Sequence, residues 1–239
     1  MRLATKEIII GFFLKMKTRA AVLYETGKPL RVEDVEIPAL KPGQTLVKVM
    51  YSGVCHSQVN EVRGVKFGKG DPYLPHLLGH EGSGLVEEVG AGVTKVKPGD
   101  RVVLTWLKGS GADVPSTIYR SGGQNINAGA ITTFSDRTVV SENRLVRLMD
   151  ETEDDVAALL GCAVPTGAGM VYNLLDMEPG KSIAVFGVGG VGSCSVLAAS
   201  SKLYNPIIAV DIFDNKLDHA REMGATHTIN ARKINPIEG

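Results

Sequence analysis

Two thiols and an imidazole stand out in this chain as groups able to hold a metal together. They are Cys55 in Gly53-Val54-Cys55-His56-Ser57-Gln58, His80 in Gly79-His80-Glu81-Gly82-Ser83-Gly84, and Cys162 in Leu160-Gly161-Cys162. Each alone has an ordinary explanation, since a lone cysteine is usually a small buried hydrophobe and a lone histidine a satisfied core residue. Together they offer two thiolates and one imidazole, a soft donor set that zinc prefers. A second signal follows: Gly187-Val188-Gly189-Gly190-Val191-Gly192 matches GxGxxG. As a bare string it describes many tight turns. Here an apolar run ends at Phe186 and a helix begins within the motif, which is the context the chemistry requires. Gly187 permits the turn, Gly189 lets backbone approach a pyrophosphate, and Gly192 lets helix and strand pack closely. Asp211 lies 24 residues after Gly187 (211 − 187). A carboxylate there accepts hydrogen bonds from the adenosine ribose and repels a 2′-phosphate, so the pattern favours NAD over NADP. Lys216 is either a helper at that ribose or a surface helix lysine.

The elements that must position these groups change character along the chain. Val/Ile/Leu-rich runs at 18–24, 30–37, 45–51, 84–89 and 101–105, punctuated by Thr26-Gly27-Lys28-Pro29, Lys41-Pro42-Gly43 and Lys97-Pro98-Gly99-Asp100, predict strands. Residues 108–130 read as a long polar loop, and strand character returns at 131–148. Glu153 to Leu160 reads as helix with Thr152 as N-cap. Strand and helix then alternate. A strand at 182–186 buried on both faces precedes a helix from about Gly190 to Lys202, and a second strand spans 206–210. A helix capped by Asp214 and stopped by Gly224 follows, then a third strand at 227–230. A β-rich domain is thus followed by the start of a doubly wound α/β domain.

Composition narrows the function. The chain has 239 residues, 44% of them hydrophobic, and a formal net charge of zero. Balanced charge with no basic run argues against nucleic acid and acidic membranes as partners. No segment reaches the roughly 20 apolar residues of a membrane span. Three widely spaced cysteines make a poor disulfide framework and suit a reducing compartment. Ile8 to Leu14 is apolar and short, follows Arg2 and Lys6, and has no small-residue cleavage site after it, so residues 1–15 read as an upstream extension with the working start at Met16.

The run Gly79-His80-Glu81-x-x-Gly84-x5-Gly90-x-x-Val93 is similar to the zinc signature of the medium-chain dehydrogenases. With Gly53-Val54-Cys55-His56-Ser57 before it and Cys162, Thr166 and Gly167 after it, the chain resembles the zinc-dependent alcohol dehydrogenases of that superfamily from Met16 to about Asn230. The resemblance implies a β-rich GroES-like catalytic domain over 16–160 and a partial NAD-binding Rossmann domain over 161–239. It implies that Cys55, His80 and Cys162 are the catalytic zinc ligands and that Glu81 stands behind the metal as an occasional ligand. Ser57 then takes the substrate proton, His56 faces the pyrophosphate, and Thr166 contacts nicotinamide. The implied activity is hydride transfer between a primary or secondary alcohol and NAD by way of a zinc-bound alkoxide, with a small alcohol, aldehyde or ketone as partner. A cytoplasmic enzyme, homo-oligomeric at full length, is implied too.

The departures matter as much. Many relatives carry a second, structural zinc on four closely spaced cysteines, but residues 106–130 contain none, so one catalytic zinc is expected and ordinary packing must hold that loop. Gln58 stands where an aspartate is common; its amide oxygen is expected to accept the ring N–H of the metal-bound histidine without bringing charge. Asn60 stands where a histidine often ends the proton relay. Only three of the six strands of a doubly wound domain precede Gly239, so a chain ending there is expected to bind NAD poorly and turn over slowly. Alternatives are a polyol dehydrogenase of the same superfamily and a non-catalytic zinc-binding fragment. A nucleic-acid-binding zinc module has ligands too far apart to support it.

Overall fold

A computed structural model of the chain describes residues 16–65, 70–149, 151–175 and 178–237. The expected extension at 1–15 lies outside the described residues. The β-rich part comprises β1 (Lys17–Leu23), β2 (Arg31–Glu36), β3 (Gln44–Ser52), α1 (His56–Val62), β4 (His76–Leu77), β5 (Glu81–Val89), β6 (Arg101–Thr105), β7 (Ile118–Ser121), β8 (Gln124–Asn127), β9 (Arg137–Ser141) and β10 (Leu145–Arg147). Two short helices, α2 (Asp154–Leu159) and α3 (Ala163–Gly169), lead to β11 (Ile183–Phe186), α4 (Gly190–Ser201), β12 (Ile207–Asp211), α5 (Asp214–Glu222) and β13 (His227–Asn230). This is a GroES-like β domain followed by a partial Rossmann sheet.

Strands β1, β2, β7, β8 and β4 close a small barrel, and β10, β6, β5, β3 and β9 form a five-stranded sheet in that order. Period-2 alternation explains why: β1 buries every second side chain, placing Ala20 and Val22 with Val35, Leu46, Leu77 and Ile126 in the barrel core. Tyr119 is fully buried among them, and its hydroxyl accepts the Val139 N–H at 2.7 Å, so its polar end is satisfied. A second core, with Val47, Val86, Val102, Leu104 and Leu145, lies in the five-stranded sheet. The α/β part is a parallel sheet in the order β11-β12-β13, connected through α4 and α5.

Several expectations need correction. The polar stretch at 108–130 holds a hairpin, β7–β8, turning on Gly122 and Gly123, whose φ angles of 54° and 86° suit a glycine turn. Strand β5 begins at Glu81, not at 84. Helix α2 is preceded by Glu153 as N-cap, not Thr152. Helix α5 is preceded by Phe213, because the Asp214 carboxylate is engaged by Asn230 Nδ2 at 2.7 Å and Lys233 Nζ at 2.8 Å instead of capping. Strand β11 is not buried on both faces: it pairs on one side with β12, and Phe186 is 67% exposed.

The cysteine-free loop is held by a carboxylate. Glu142, 2% exposed, accepts the N–H groups of Thr94 and Lys95 on Oε1, both at 2.6 Å, and that of Ala112 on Oε2 at 2.8 Å. It thereby staples residues 94–95 to the loop at 112. Burial pushes its pKa up, but these N–H donors outweigh burial and hold it below the usual 4.5. Because the folded value is the lower one, the stabilisation is complete above the ordinary glutamate value and is lost as pH falls through the folded value. Glu142→Ala is expected to cost about 3 kcal/mol at pH 7, with the difference from wild type shrinking in acid. Urea denaturation at several pH values checks this, and a pH-independent gap would contradict it.

Candidate active site

Cys55 follows β3 and is the N-cap residue of α1, its carbonyl accepting the Gln58 N–H at 3.0 Å. His80 lies between β4 and β5, immediately after Gly79. Cys162 is the N-cap residue of α3, its carbonyl accepting the Thr166 N–H at 3.0 Å. Glycines before each of the three admit the close packing. A Cβ at Gly53 would lie 2.7 Å from the Glu81 carboxyl carbon, and one at Gly161 would lie 2.4 Å from the Leu104 carbonyl oxygen and 2.8 Å from Glu81 Cα. Gly79 has φ +91°, and a Cβ there would sit 2.4 Å from the Thr133 hydroxyl oxygen. Glu81 is therefore wedged between the two cysteine-bearing segments. Its carbonyl oxygen accepts the Gly53 N–H at 3.2 Å and the Thr133 hydroxyl at 3.1 Å.

The result is a convergence of one ligand atom each from Cys55, His80 and Cys162, all within 4.8 Å of one another. His80 Nε2 lies 3.2 Å from Cys162 Sγ. The Ser57 hydroxyl donates to Cys55 Sγ at 3.4 Å. Three donors of this softness fit a four-coordinate metal with one position open. Burial, the neighbouring Cys55 sulfur and the Glu81 carboxyl push the Cys162 thiol up to about 12. Such a crowd of potential anions is unfavourable without a cation. Burial also pushes the Glu81 carboxyl up, against the Ala163 N–H that it accepts at 3.3 Å on Oε2. Glu81 is not among the converging donor atoms.

The other expected residues divide. His56 opens α1 and is exposed. Thr166 sits one turn beyond Cys162; its hydroxyl is buried without a full hydrogen bond, and a polar interaction with Cys162 slightly favours the thiolate. Gln58 does not behave as expected. Its amide oxygen accepts the Gly79 N–H at 2.6 Å and its amide nitrogen donates to Glu61 at 3.5 Å, so it fixes the backbone before His80, not the ring.

At the glycine-rich loop, Gly187 has φ +83°, and a Cβ at Gly192 would stand 1.9 Å from the Gly187 carbonyl oxygen. At Gly187, Gly189 and Gly190, by contrast, an added Cβ meets nothing within 4 Å. These glycines leave open space above a helix N-terminus, the cradle an anion needs. Asp211 accepts Val188 N–H on Oδ2 at 3.0 Å and Ile212 and Phe213 N–H on Oδ1 at 2.7 and 3.1 Å. Burial pushes its pKa up, but these donors and Lys216 prevail and hold it below the usual range. Lys216 Nζ lies 5.1 Å from the Phe213 ring centre. Gly167, named in the sequence only as part of the motif after Cys162, has a packing role that was not read there: a Cβ would stand 2.1 Å from the Val191 carbonyl oxygen and 2.8 Å from Cys194 Cβ. A glycine inside a helix was the available signal. Gly167 brings α3, with Cys162 at its start, directly onto α4, which follows the glycine-rich loop.

Residues 41–150 match the alcohol dehydrogenase GroES-like domain. The S-(hydroxymethyl)glutathione dehydrogenase of Synechocystis sp. is 36% identical over 244 residues, covering 91% of this chain and 65% of that protein. Among solved structures, an alcohol dehydrogenase zinc-binding domain protein from Burkholderia ambifaria superposes with a TM-score of 0.85 at 32% identity, covering 94% of this chain and 66% of that one. The alcohol dehydrogenase of the archaeon Aeropyrum pernix superposes with a TM-score of 0.76 at 30% identity over 93% of this chain and 67% of that one. The chain belongs to the zinc-dependent alcohol dehydrogenases of the medium-chain dehydrogenase/reductase superfamily. It spans about 65% of the length of the Synechocystis relative. Two of the three converging donors, Cys55 and His80, lie within the matched residues 41–150, and Cys162 lies beyond them.

The Cys162 value sets an expected outcome for metal loading. A thiol of about 12 is protonated at pH 8 and must lose its proton to bind metal. Adding zinc to the metal-free chain at pH 8 releases protons, counted with a pH indicator, and Cys162→Ser releases fewer. Zinc uptake without proton release would contradict the assignment.

Proposed function

We propose that Cys55, His80 and Cys162 hold a single catalytic zinc and that the Gly187–Gly192 loop holds NAD, in an oxidoreductase that transfers hydride between a primary or secondary alcohol and NAD. The observation that carries the reading is the convergence of three soft donors from distant segments within 4.8 Å. Alcohol dehydrogenase is itself the usual example of a catalytic Cys₂His zinc, with three protein ligands and an open fourth position. Zinc bound there supplies Lewis acidity toward an alcohol or carbonyl oxygen.

The remaining work falls to the chain's own residues. Ser57, beside Cys55, takes the proton of the substrate hydroxyl, and His56, exposed next to it, passes charge toward solvent or the pyrophosphate. Glu81 holds the cysteine segments in register from behind. Thr166 presents its buried hydroxyl from α3 toward the nicotinamide end. Gly187, Gly189 and Gly192 shape the pyrophosphate cradle. Asp211, held ionised by backbone donors, receives the ribose hydroxyls and disfavours a 2′-phosphate, with Lys216 beside it. Small alcohols, aldehydes and ketones are the substrate class, the compartment is a reducing cytoplasm, and the full-length enzyme is a homo-oligomer. The three free cysteines accord with such a compartment.

Cobalt substitution tests the metal assignment without relying on turnover. Cobalt in place of zinc is expected to give thiolate-to-cobalt charge-transfer absorption in the near ultraviolet, abolished in Cys55→Ser/Cys162→Ser. An unchanged spectrum in that variant sinks the site. In parallel, Asp211→Asn is expected to weaken NAD binding about tenfold and to narrow the preference over NADP. Calorimetry with each nucleotide checks this, and an unaltered preference would remove Asp211 from the ribose.

A further inference from the structure

A cavity of about 640 Å³ has His80, one of the three converging donors, in its wall. Cavities of roughly 300–1,000 Å³ hold ligands much larger than a short alkyl alcohol. The antiparallel ladder of β5 and β6 ends at the pair Glu81 and Thr105. One position beyond it stand His80 on one strand and Trp106, the chain's single tryptophan, on the other, and both line the cavity. Ile118, Ala128 and Ala130 add apolar wall, and the two alanines leave room for a ring beside the indole.

The same cavity carries a fixed positive charge. Among the described residues that line it, Arg144 alone is an arginine or lysine. Its backbone is held firmly: Arg144 ends the turn at 142–144 that Glu142 staples to residues 94, 95 and 112, and the Asn143 carbonyl accepts the Gly109 N–H at 2.8 Å. Its side chain is anchored at one corner, where Nη1 donates to the Trp106 carbonyl. Among the described residues no other hydrogen bond or ion pair engages it. Nε and Nη2 remain, two parallel N–H donors along one edge of the guanidinium, the fork that matches a carboxylate. The acids nearby are committed elsewhere. Asp113, whose carboxyl Lys108 and, more weakly, Arg144 hold below the usual range, pairs with Lys108 at 2.7 Å. Glu61, which also lines the cavity, accepts the Gln58 amide at 3.5 Å and lies 3.8 Å from His76 Nε2.

We propose that this cavity selects alcohols bearing a carboxylate on an aromatic body, with Arg144 binding the carboxylate and Trp106 the ring. With Cys55, His80 and Cys162 holding the catalytic metal, the reading on which this rests, the substrate hydroxyl lies at the His80 end and the carboxylate at Arg144. Arg144 takes no part in hydride transfer; it sets which alcohols are held. A neutral molecule of the same shape keeps the ring contact and loses the charge-assisted pair.

The test needs no turnover, because the single tryptophan lies in the cavity and its fluorescence reports what enters. The metal-free 239-residue chain is titrated with para-(hydroxymethyl)benzoate and with its neutral isostere para-(hydroxymethyl)benzamide. Without metal, a preference for the carboxylate cannot come from a zinc–carboxylate bond. The benzoate is expected to quench Trp106 saturably and to bind at least about tenfold more tightly than the amide. Arg144→Gln is expected to bring the two within about twofold of each other while leaving the amide's affinity unchanged. Equal affinities in wild type, which require no variant to fold, overturn the proposal. So does a preference that survives in folded Arg144→Gln. The preference is read whether or not the cobalt spectrum of the thiolate site appears, so the failure of either reading is distinguishable from the failure of the other.

Discussion

Glu81 is wedged into space left by two glycines, and the geometry of the thiolate site depends on that contact. The residue is one position beyond His80, its carboxyl group fills the gap at Gly53, and its backbone lies against Gly161. Those glycines stand two residues before Cys55 and one before Cys162. The same carbonyl oxygen that begins β5 receives Gly53 N–H and the hydroxyls of Ser52 and Thr133. Three segments that are remote in sequence therefore share one side chain as their spacer, and a methyl group at either glycine forces them apart. Close packing of this kind is stiff. It holds two thiol groups near an imidazole although burial, the Cys55 sulfur and the Glu81 carboxyl raise the proton affinity of Cys162.

The same device recurs between the two parts of the chain. Gly167 lets α3 rest on α4, and Ser195 Oγ donates to the Gly167 carbonyl at 2.9 Å. Cys162 begins α3, while the open glycine loop precedes α4. The Cys162 thiol and the glycine loop are thus referred to a single helix–helix contact. Asp211 adds a second tie, since its carboxylate holds the Val188 N–H inside the glycine loop as well as the turn that follows β12.

What could be read from the chain alone follows the range of the interaction. Strands β1 to β3, β6, β12 and β13 were legible because apolar runs bounded by Gly and Pro turns carry their own signal. The donors Cys55, His80 and Cys162 were legible from residue type and motif, and the structure brings them together. The hairpin β7–β8 was not, because Gln124-Asn125-Ile126-Asn127 has one apolar residue and its strand state comes from pairing with β7 and from the barrel core. The start of β5 was hidden for the same reason: Gly82 and Gly84 have low strand propensity, and their place is set by the Tyr51 and Lys48 carbonyls pressing against them. Gln58 was given the right neighbourhood and the wrong partner, since residue type alone does not say that a backbone N–H lies nearer than an imidazole.

The loop stapled by Glu142 differs in vulnerability from one clamped by cysteines. Thiolates lose their grip to oxidants, to chelators and to competing soft metals. A carboxylate shared among backbone N–H groups is indifferent to all three and yields to acid alone. Oxidants or chelators strong enough to disrupt a thiolate clamp would leave this part of the scaffold standing.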